Sequence, residues 1–236
     1  MTRPWLLIPL LSFSCSTPGF RTSTALDPKP VGLPGVVLAL SAVPEPRWAP
    51  RPLIRSRFEA ALPEYERIAG LTAKAFVLGD SGEFGGIYVW QTAADADAWF
   101  NPRWFERTKK SYGGGAVKMF TDVTGLEGNT QLDATAVDAH STRFPMAATV
   151  LVFAGGSAEA VVAAHRAPPG LVRAWAASSA AHEPVVIALW ANRASAQAAY
   201  AAVELSQLVA AVGASTANVD WYEAPLWMDM GAGTPR

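Results

Sequence analysis

The sequence predicts an α+β fold made of two tandem repeats that close into one barrel within a single chain. Three observations predict it. The stretch Gly70 to Phe100, GLTAKAFVLGDSGEFGGIYVWQTAADADAWF, reads as strand, tight turn, strand, helix. Its landmarks recur 100 residues later, with Gly70-Leu71 at Gly170-Leu171, Trp90 at Trp190, Ala94 at Ala194 and Phe100 at Tyr200. Flanking strands recur as well, Val117–Phe120 against Val219–Tyr222 at an offset of 102 and Val36–Leu40 against Thr149–Phe153 at an offset of 113. Each copy thus spells strand, helix, strand, strand, helix, strand, the ferredoxin-like βαββαβ unit with both helices on one sheet face. The other face, left bare, is unstable in water. The remedy is an intrachain dimeric α/β-barrel, a pseudo-dimer in which the two bare faces meet face to face and not edge to edge.

In chain order, residues 1–15 read as a signal-like or lipoprotein-like leader: Arg3, then the apolar run WLLIPLL, then Cys15, placed where a bacterial lipoprotein takes its lipid. The run is too short to span a bilayer, which takes about 20 residues. An exported or periplasmic location follows, with any membrane contact through a lipid on Cys15; a cytoplasmic chain with an unstructured leader is the alternative. Residues 16–34 form a Ser/Thr/Pro-rich tether. The first repeat covers 35–124. In it, prolines between 44 and 52 mark an extended connector, and Phe58, Leu62, Tyr65 and Ile68 make one stripe of a helix over 55–68 interrupted by Pro63. Thr92 is an N-cap with Asp95 three residues on; the helix it starts breaks at Asn101-Pro102 and stops at Gly113-Gly114-Gly115. Residues 125–145 are polar and read as a linker. The second repeat, 146–226, carries a helix over 157–166, strands over 171–177 and 184–190, and one helix from 194 to about 212; residues 227–236 are a tail without pattern.

Composition narrows the function. Half of the residues are hydrophobic and the formal net charge is −1, with a mean hydropathy of +0.16. This supports a sizeable core and gives no electrostatic case for nucleic acid. A single cysteine excludes an internal disulfide. The three histidines, His140, His165 and His182, fall in the linker, at a helix end and in a turn, and no HExxH, CxxC or GxSxG occurs. Neither a metal nor a nucleophilic triad is expected. The three-glycine run is no phosphate loop, since no strand precedes it and no helix follows.

Several residues stand out for chemistry. Lys74 is the only charge in an apolar strand; buried, it is a base or an anion-binding group, and at an edge it snorkels to water. Tyr88 and Trp90 share one strand face and line a cavity or pack under helices. Trp99, Asn101, Trp104 and Tyr112 lie along the broken helix, aromatic walls with one amide and one phenol suited to a flat, partly polar ligand.

The first copy resembles the YdhR-like mono-oxygenases of the dimeric α/β-barrel superfamily. Gly70-Leu71, Lys74, Phe76, Gly85-Gly86, Tyr88, Trp90, the helix 94–100, Tyr112-Gly113 and Val117 carry the resemblance. It implies cofactor-independent oxygenation of a small aromatic or polyketide-like compound. The second copy has Ala174 in place of the lysine and lacks the Gly-Gly, so one pocket at most is expected. On this reading Lys74 and Tyr112 are catalytic, polarising an oxyanion, while Tyr88, Trp90, Trp99, Asn101, Trp104 and Phe120 bind substrate, with no cofactor and no metal. Two alternatives stand beside it: an exported, non-catalytic binder of an apolar or aromatic ligand such as a haem-related compound, and a purely structural pseudo-dimer. The chain is expected to act as a monomer.

Overall fold

The structure, a computed structural model, describes residues 30–128, 130, 135–136, 141–164 and 168–231. The leader with Cys15, most of the tether, His140 and His165 lie outside the described residues. The elements are β1 (Val31–Gly32), β2 (Val37–Pro44), α1 (Arg51–Tyr65), β3 (Leu71–Gly79), β4 (Glu83–Trp90), α2 (Ala93–Trp99), α3 (Pro102–Tyr112), β5 (Ala116–Glu127), β6 (Thr135–Ala136), β7 (Ser141–Ala154), α4 (Ala158–Ala164), β8 (Leu171–Ser179), β9 (Pro184–Trp190), α5 (Arg193–Ala199), α6 (Ala202–Ala211) and β10 (Thr216–Asp229).

The strands pair in the order β5-β2-β4-β3-β10-β7-β9-β8, and β8 pairs back onto β5, closing an eight-stranded antiparallel barrel; β1 adds to β5 and β6 to β7. Alternation along the strands sends one set of side chains inward. Leu38, Leu40, Ala75, Val77, Ile87 and Phe120 from one half meet Ala148, Val150, Trp175, Val185, Ile187 and Tyr222 from the other in one core. The opposite set packs under helices, Tyr88 and Trp90 beneath α1 to α3 and Trp190 beneath α4 to α6.

The element order β2-α1-β3-β4-α2-α3-β5 returns as β7-α4-β8-β9-α5-α6-β10. Local chemistry explains the recurring landmarks. Gly70 and Gly170 both have positive φ, and a Cβ on either would run into Asp95 or Ser195 at the start of the next helix. Thr92 Oγ1 accepts from Asp95 N–H at 3.2 Å, and Asn192 Oδ1 accepts from Ser195 N–H at 2.9 Å.

Several sequence expectations are corrected. The halves are joined edge to edge as well as face to face, because the ladders β3–β10 and β5–β8 leave no free edge on the barrel. The ends of the supposed linker are strand, since β5 runs to Glu127 and β7 begins at Ser141; likewise β10 runs into the supposed tail as far as Asp229, and Val31–Gly32 of the tether pairs with β5. Helix α1 begins at Arg51 because a proline in its first turn needs no hydrogen-bond partner, and it keeps Pro63 inside its last turn. The final helix of the second half is two, α5 and α6, broken at Tyr200-Ala201 as α2 and α3 are at Phe100-Asn101. The strand register pairs Ala39 with both Tyr88 and Met119, and Thr149 with both Ala188 and Trp221. Ala39 and Thr149 are therefore equivalent, and the opening strands are offset by 110, not 113.

The two interactions between the halves differ in weight. Leu38→Ala or Ile187→Ala, at fully buried positions, is expected to cost about 2–5 kcal/mol in urea denaturation. Asp80→Ala breaks the Asp80–Arg193 pair that joins the halves, whose side chains are both 46% exposed; it is expected to cost less than about 1 kcal/mol.

Candidate functional site

Strand β3 is apolar because it is central, flanked by β4 and β10, and its outward positions lie under α1. Lys74 occupies one of them and is 1% exposed, which rules out the edge position and snorkelling. Its Nζ lies 3.1 Å from the Tyr65 ring centroid, 3.9 Å from that of Phe76 and 4.5 Å from that of Tyr88. Burial pushes the lysine well below its ordinary pKa, while Glu64 on α1 acts the other way. The three ring faces also favour the charged form. The result is a buried amine in an aromatic cage that cushions it when it takes a proton.

Two phenols share this space. Burial drives Tyr65 well above the ordinary tyrosine value, helped by its interaction with Tyr88. Tyr88 is raised by burial too, with side-chain hydrogen bonding to Ser41 and Tyr65 opposing. Both therefore stay protonated and able to donate. Ser41, itself buried, accepts from Gly86 N–H at 3.1 Å. Gly86 makes the cage possible: a Cβ there would lie 2.6 Å from Lys74 Cε and 2.9 Å from the Tyr88 ring. Its neighbour Gly85 is needed because the Ser41 carbonyl of β2 comes too close for any side chain.

The sequence-predicted residues divide into three groups. Lys74, Tyr88, Trp90, Trp99 and Trp104 come together on the helix side of the first half. Trp90 stacks on Tyr88 with centroids 5.8 Å apart and planes at 10°; Trp99 reaches Tyr65 at 5.7 Å, and Trp104 meets Phe100 at 5.2 Å. Asn101 is occupied as a helix cap, its Oδ1 accepting from Arg103 and Trp104 N–H and its Nδ2 donating to the Ala98 carbonyl. Tyr112 and Phe120 do not join the cluster. Tyr112 is 38% exposed at the end of α3 with its ring on Phe84, and Phe120 points into the barrel.

Across β3, β4, β2 and β5 one helix-facing row reads Lys74, Tyr88, Ala39, Met119; its counterpart across β8, β9, β7 and β10 reads Ala174, Ala188, Thr149, Trp221. In the next row Phe76, Gly86 and Ser41 face Ala176, Val186 and Leu151. Lys74, Tyr88 and Ser41 belong to the first half, and Ala174, Ala188 and Leu151 stand in their places in the second. A separate open cleft of about 770 Å³ lies where the halves adjoin, lined by residues 32–37, 121–124, 156–159, Ser178 and His182. Asp122 and His182, the non-glycine residues with positive φ among the described residues, both line it. None of the sequence-predicted site residues does, and no cluster among the described residues has the make-up of a metal site.

No protein-family model and no curated protein matches this chain. Solved structures do. A structure described as a putative monooxygenase from Lactobacillus acidophilus NCFM superposes with a TM-score of 0.56 at 11% identity, over 86% of this chain and 100% of its own. One so described from Fusobacterium nucleatum subsp. nucleatum gives 0.54 at 7% identity, over 83% and 95%. An anthrone oxidase-like protein gives 0.53 at 11% identity, over 87% and 100%. At these identities the likeness is one of fold: the chain shares the α/β-barrel architecture of these structures.

Sequence reasoning missed Tyr65 and Ser41 as site residues. Tyr65 was legible as part of a buried stripe, but nothing local says that the stripe lies over Lys74. The glycine pair was the better signal, since two glycines in a strand mark a close approach.

Two measurements test this geometry. Gly86→Val is expected to destabilise by about 1–3 kcal/mol through overcrowding. Lys74→Ala should recover part of that loss, because the double variant copies Ala174 and Val186; thermal unfolding of the four proteins of the cycle reads the coupling. The second is pH dependence. Because burial lowers the lysine in the folded state, the unfolded chain binds an extra proton from that lowered value up to the unfolded value of about 10.4. Stability should therefore rise with pH through this window, with a slope of up to about 1.4 kcal/mol per pH unit. Lys74→Met should flatten that rise.

Proposed function

We propose that the chain is a tandem pair of ferredoxin-like repeats, akin to the YdhR-like mono-oxygenases, and that its first repeat catalyses cofactor-independent mono-oxygenation of a small aromatic compound. The observation that carries this reading is Lys74, an amine buried in an aromatic cage. Barrels of the same fold described as putative monooxygenase and as anthrone oxidase-like support it.

The reaction converts an activated ring methylene and O₂ into a ring carbonyl and water. Lys74, whose burial favours the neutral amine, takes the proton from the methylene carbon. The ammonium so formed is held by the faces of Tyr65, Phe76 and Tyr88. The phenols of Tyr65 and Tyr88 donate to the oxyanion of the carbanion's enolate form. This role passes to them from Tyr112, whose ring packs on Phe84. The delocalised carbanion then reacts with O₂, and the resulting peroxide loses water. Trp90, Trp99 and Trp104 shape the walls. Access is by movement of α3, which hangs between the break at Phe100-Asn101 and the glycines at 113–115, of which Gly113 caps the helix at φ 86°.

Oxygen uptake with a panel of anthrones and quinols tests the reading. The full chain should consume O₂ with at least one of them, and Lys74→Met should lose on the order of 100-fold or more in turnover. Tight binding without uptake would replace the oxygenase with the exported binding protein; neither binding nor uptake would remove both.

A further inference from the structure

The two halves treat the same tryptophan differently. In the second half, Trp190 Nε1 donates to Thr149 Oγ1 at 2.9 Å, and both residues are fully buried. The Tyr200 hydroxyl lies near the same threonine, which tempers the rise that burial imposes on that phenol, but it makes no hydrogen bond of its own. Tyr200 packs edge-on against Trp190 at 5.3 Å and against Trp221 at 6.4 Å. The indole donor is thus enclosed by a hydroxyl acceptor, a phenol and a second indole.

In the first half the hydroxyls and the second indole are subtracted, while Phe100 keeps a ring edge-on to Trp90 at 6.0 Å and Tyr88 stacks on it. Trp90 is 0% exposed, yet its Nε1 has no hydrogen-bond partner. The position of Thr149 is held by Ala39, that of Tyr200 by Phe100 and that of Trp221 by Met119. Two hydroxyls and one large ring are removed around a donor that remains. Leaving a buried N–H unpaired costs more than never placing it there. Trp99, whose counterpart is Ala199, adds a second buried indole Nε1 without a partner on the same side of the sheet.

We infer that an acceptor oxygen of the bound ligand takes the place that the Thr149 hydroxyl holds in the second half, above Ala39, and receives the Trp90 Nε1–H. The ligand is therefore a flat aromatic compound bearing a ring carbonyl or its ionised hydroxyl form. The inference rests on the reading that the helix side of the first half is the ligand site. Trp90 acts here as a specificity-determining donor, and Lys74, on the far side of Tyr88 in the same row, is not needed for it.

Two neutral probes of nearly the same shape separate this donor from general aromatic packing: 9-fluorenone, which has the acceptor oxygen, and fluorene, which lacks it. Calorimetry with the full chain is expected to show fluorenone bound at least tenfold more tightly. Ala39→Thr supplies the missing hydroxyl from within, so it should raise the melting temperature and abolish the preference. Trp90→Phe keeps a ring but removes the donor and should also abolish the preference, which covers the case in which the threonine variant does not fold. Equal affinity for the two probes in the unaltered chain, no binding of either, or a preference that survives in the folded variants would overturn the inference. The oxygenase reading fails separately: a preference that obeys Ala39 and Trp90 without any oxygen uptake sinks the chemistry and leaves the donor, and uptake that depends on Lys74 without the preference does the reverse.

Discussion

Each half of this chain makes a four-stranded sheet with an apolar face that its own helices do not cover, and the fold follows from how that face is hidden. Leu38, Ile87 and Phe120 from one side and Val150, Ile187 and Tyr222 from the other fill the same volume, so neither sheet is stable without its partner. Closure also settles the edges. With β3 laddered to β10 and β5 to β8, the barrel strands keep both neighbours, and their buried backbone groups are paired. Face contact and edge pairing are therefore not competing arrangements; a sheet that curls onto itself has both.

Side chains from both halves fill the barrel, and the halves differ most in the layer between sheet and helices. There the two halves have traded volume position by position. Lys74 and Gly86 on one side stand for Ala174 and Val186 on the other, and Tyr88 and Ala39 for Ala188 and Thr149. Packing density explains the pairing: a long side chain at one position requires that its cross-strand neighbour give up its own. The glycine is thus as much part of the lysine's site as the rings that cage it.

How much of this the sequence carried depended on how sharp each landmark was. Gly70-Leu71 and Trp90 have individual stereochemical reasons, so their recurrence located the central strands and the exchange of Lys74 for Ala174, while the helix break at Tyr200-Ala201 carried no proline to mark it. The opening strands are runs of Val, Leu and Ala with no such mark, and sliding one by three residues changes nothing in their composition. That slip hid the equivalence of Ala39 and Thr149, and with it the unpaired indole. The polar stretch 125–145 read as linker because its strand ends, which pair with β8 and β10, carry no alternating apolar pattern. Tyr65, Ser41 and the inward turn of Phe120 depend on which sheet face meets which layer, and that is decided by contacts between residues far apart in the chain.

A single chain can do what a symmetric pair of subunits cannot. When the two sheets of a barrel come from identical subunits, a residue placed for chemistry in one is placed in both, and its cost in buried polar groups is borne twice. Here Trp190 has its hydrogen bond to Thr149, while the Trp90 indole has none. In the second half Ala174, Ala188 and Val186 close the space that Lys74 and Tyr88 occupy in the first. The asymmetry has a direction. Apart from Met119 for Trp221, the changes that distinguish the first row from the second add a donor or a cation or take away an acceptor hydroxyl, and changes of that kind weaken a packed interior unless something outside the chain completes it.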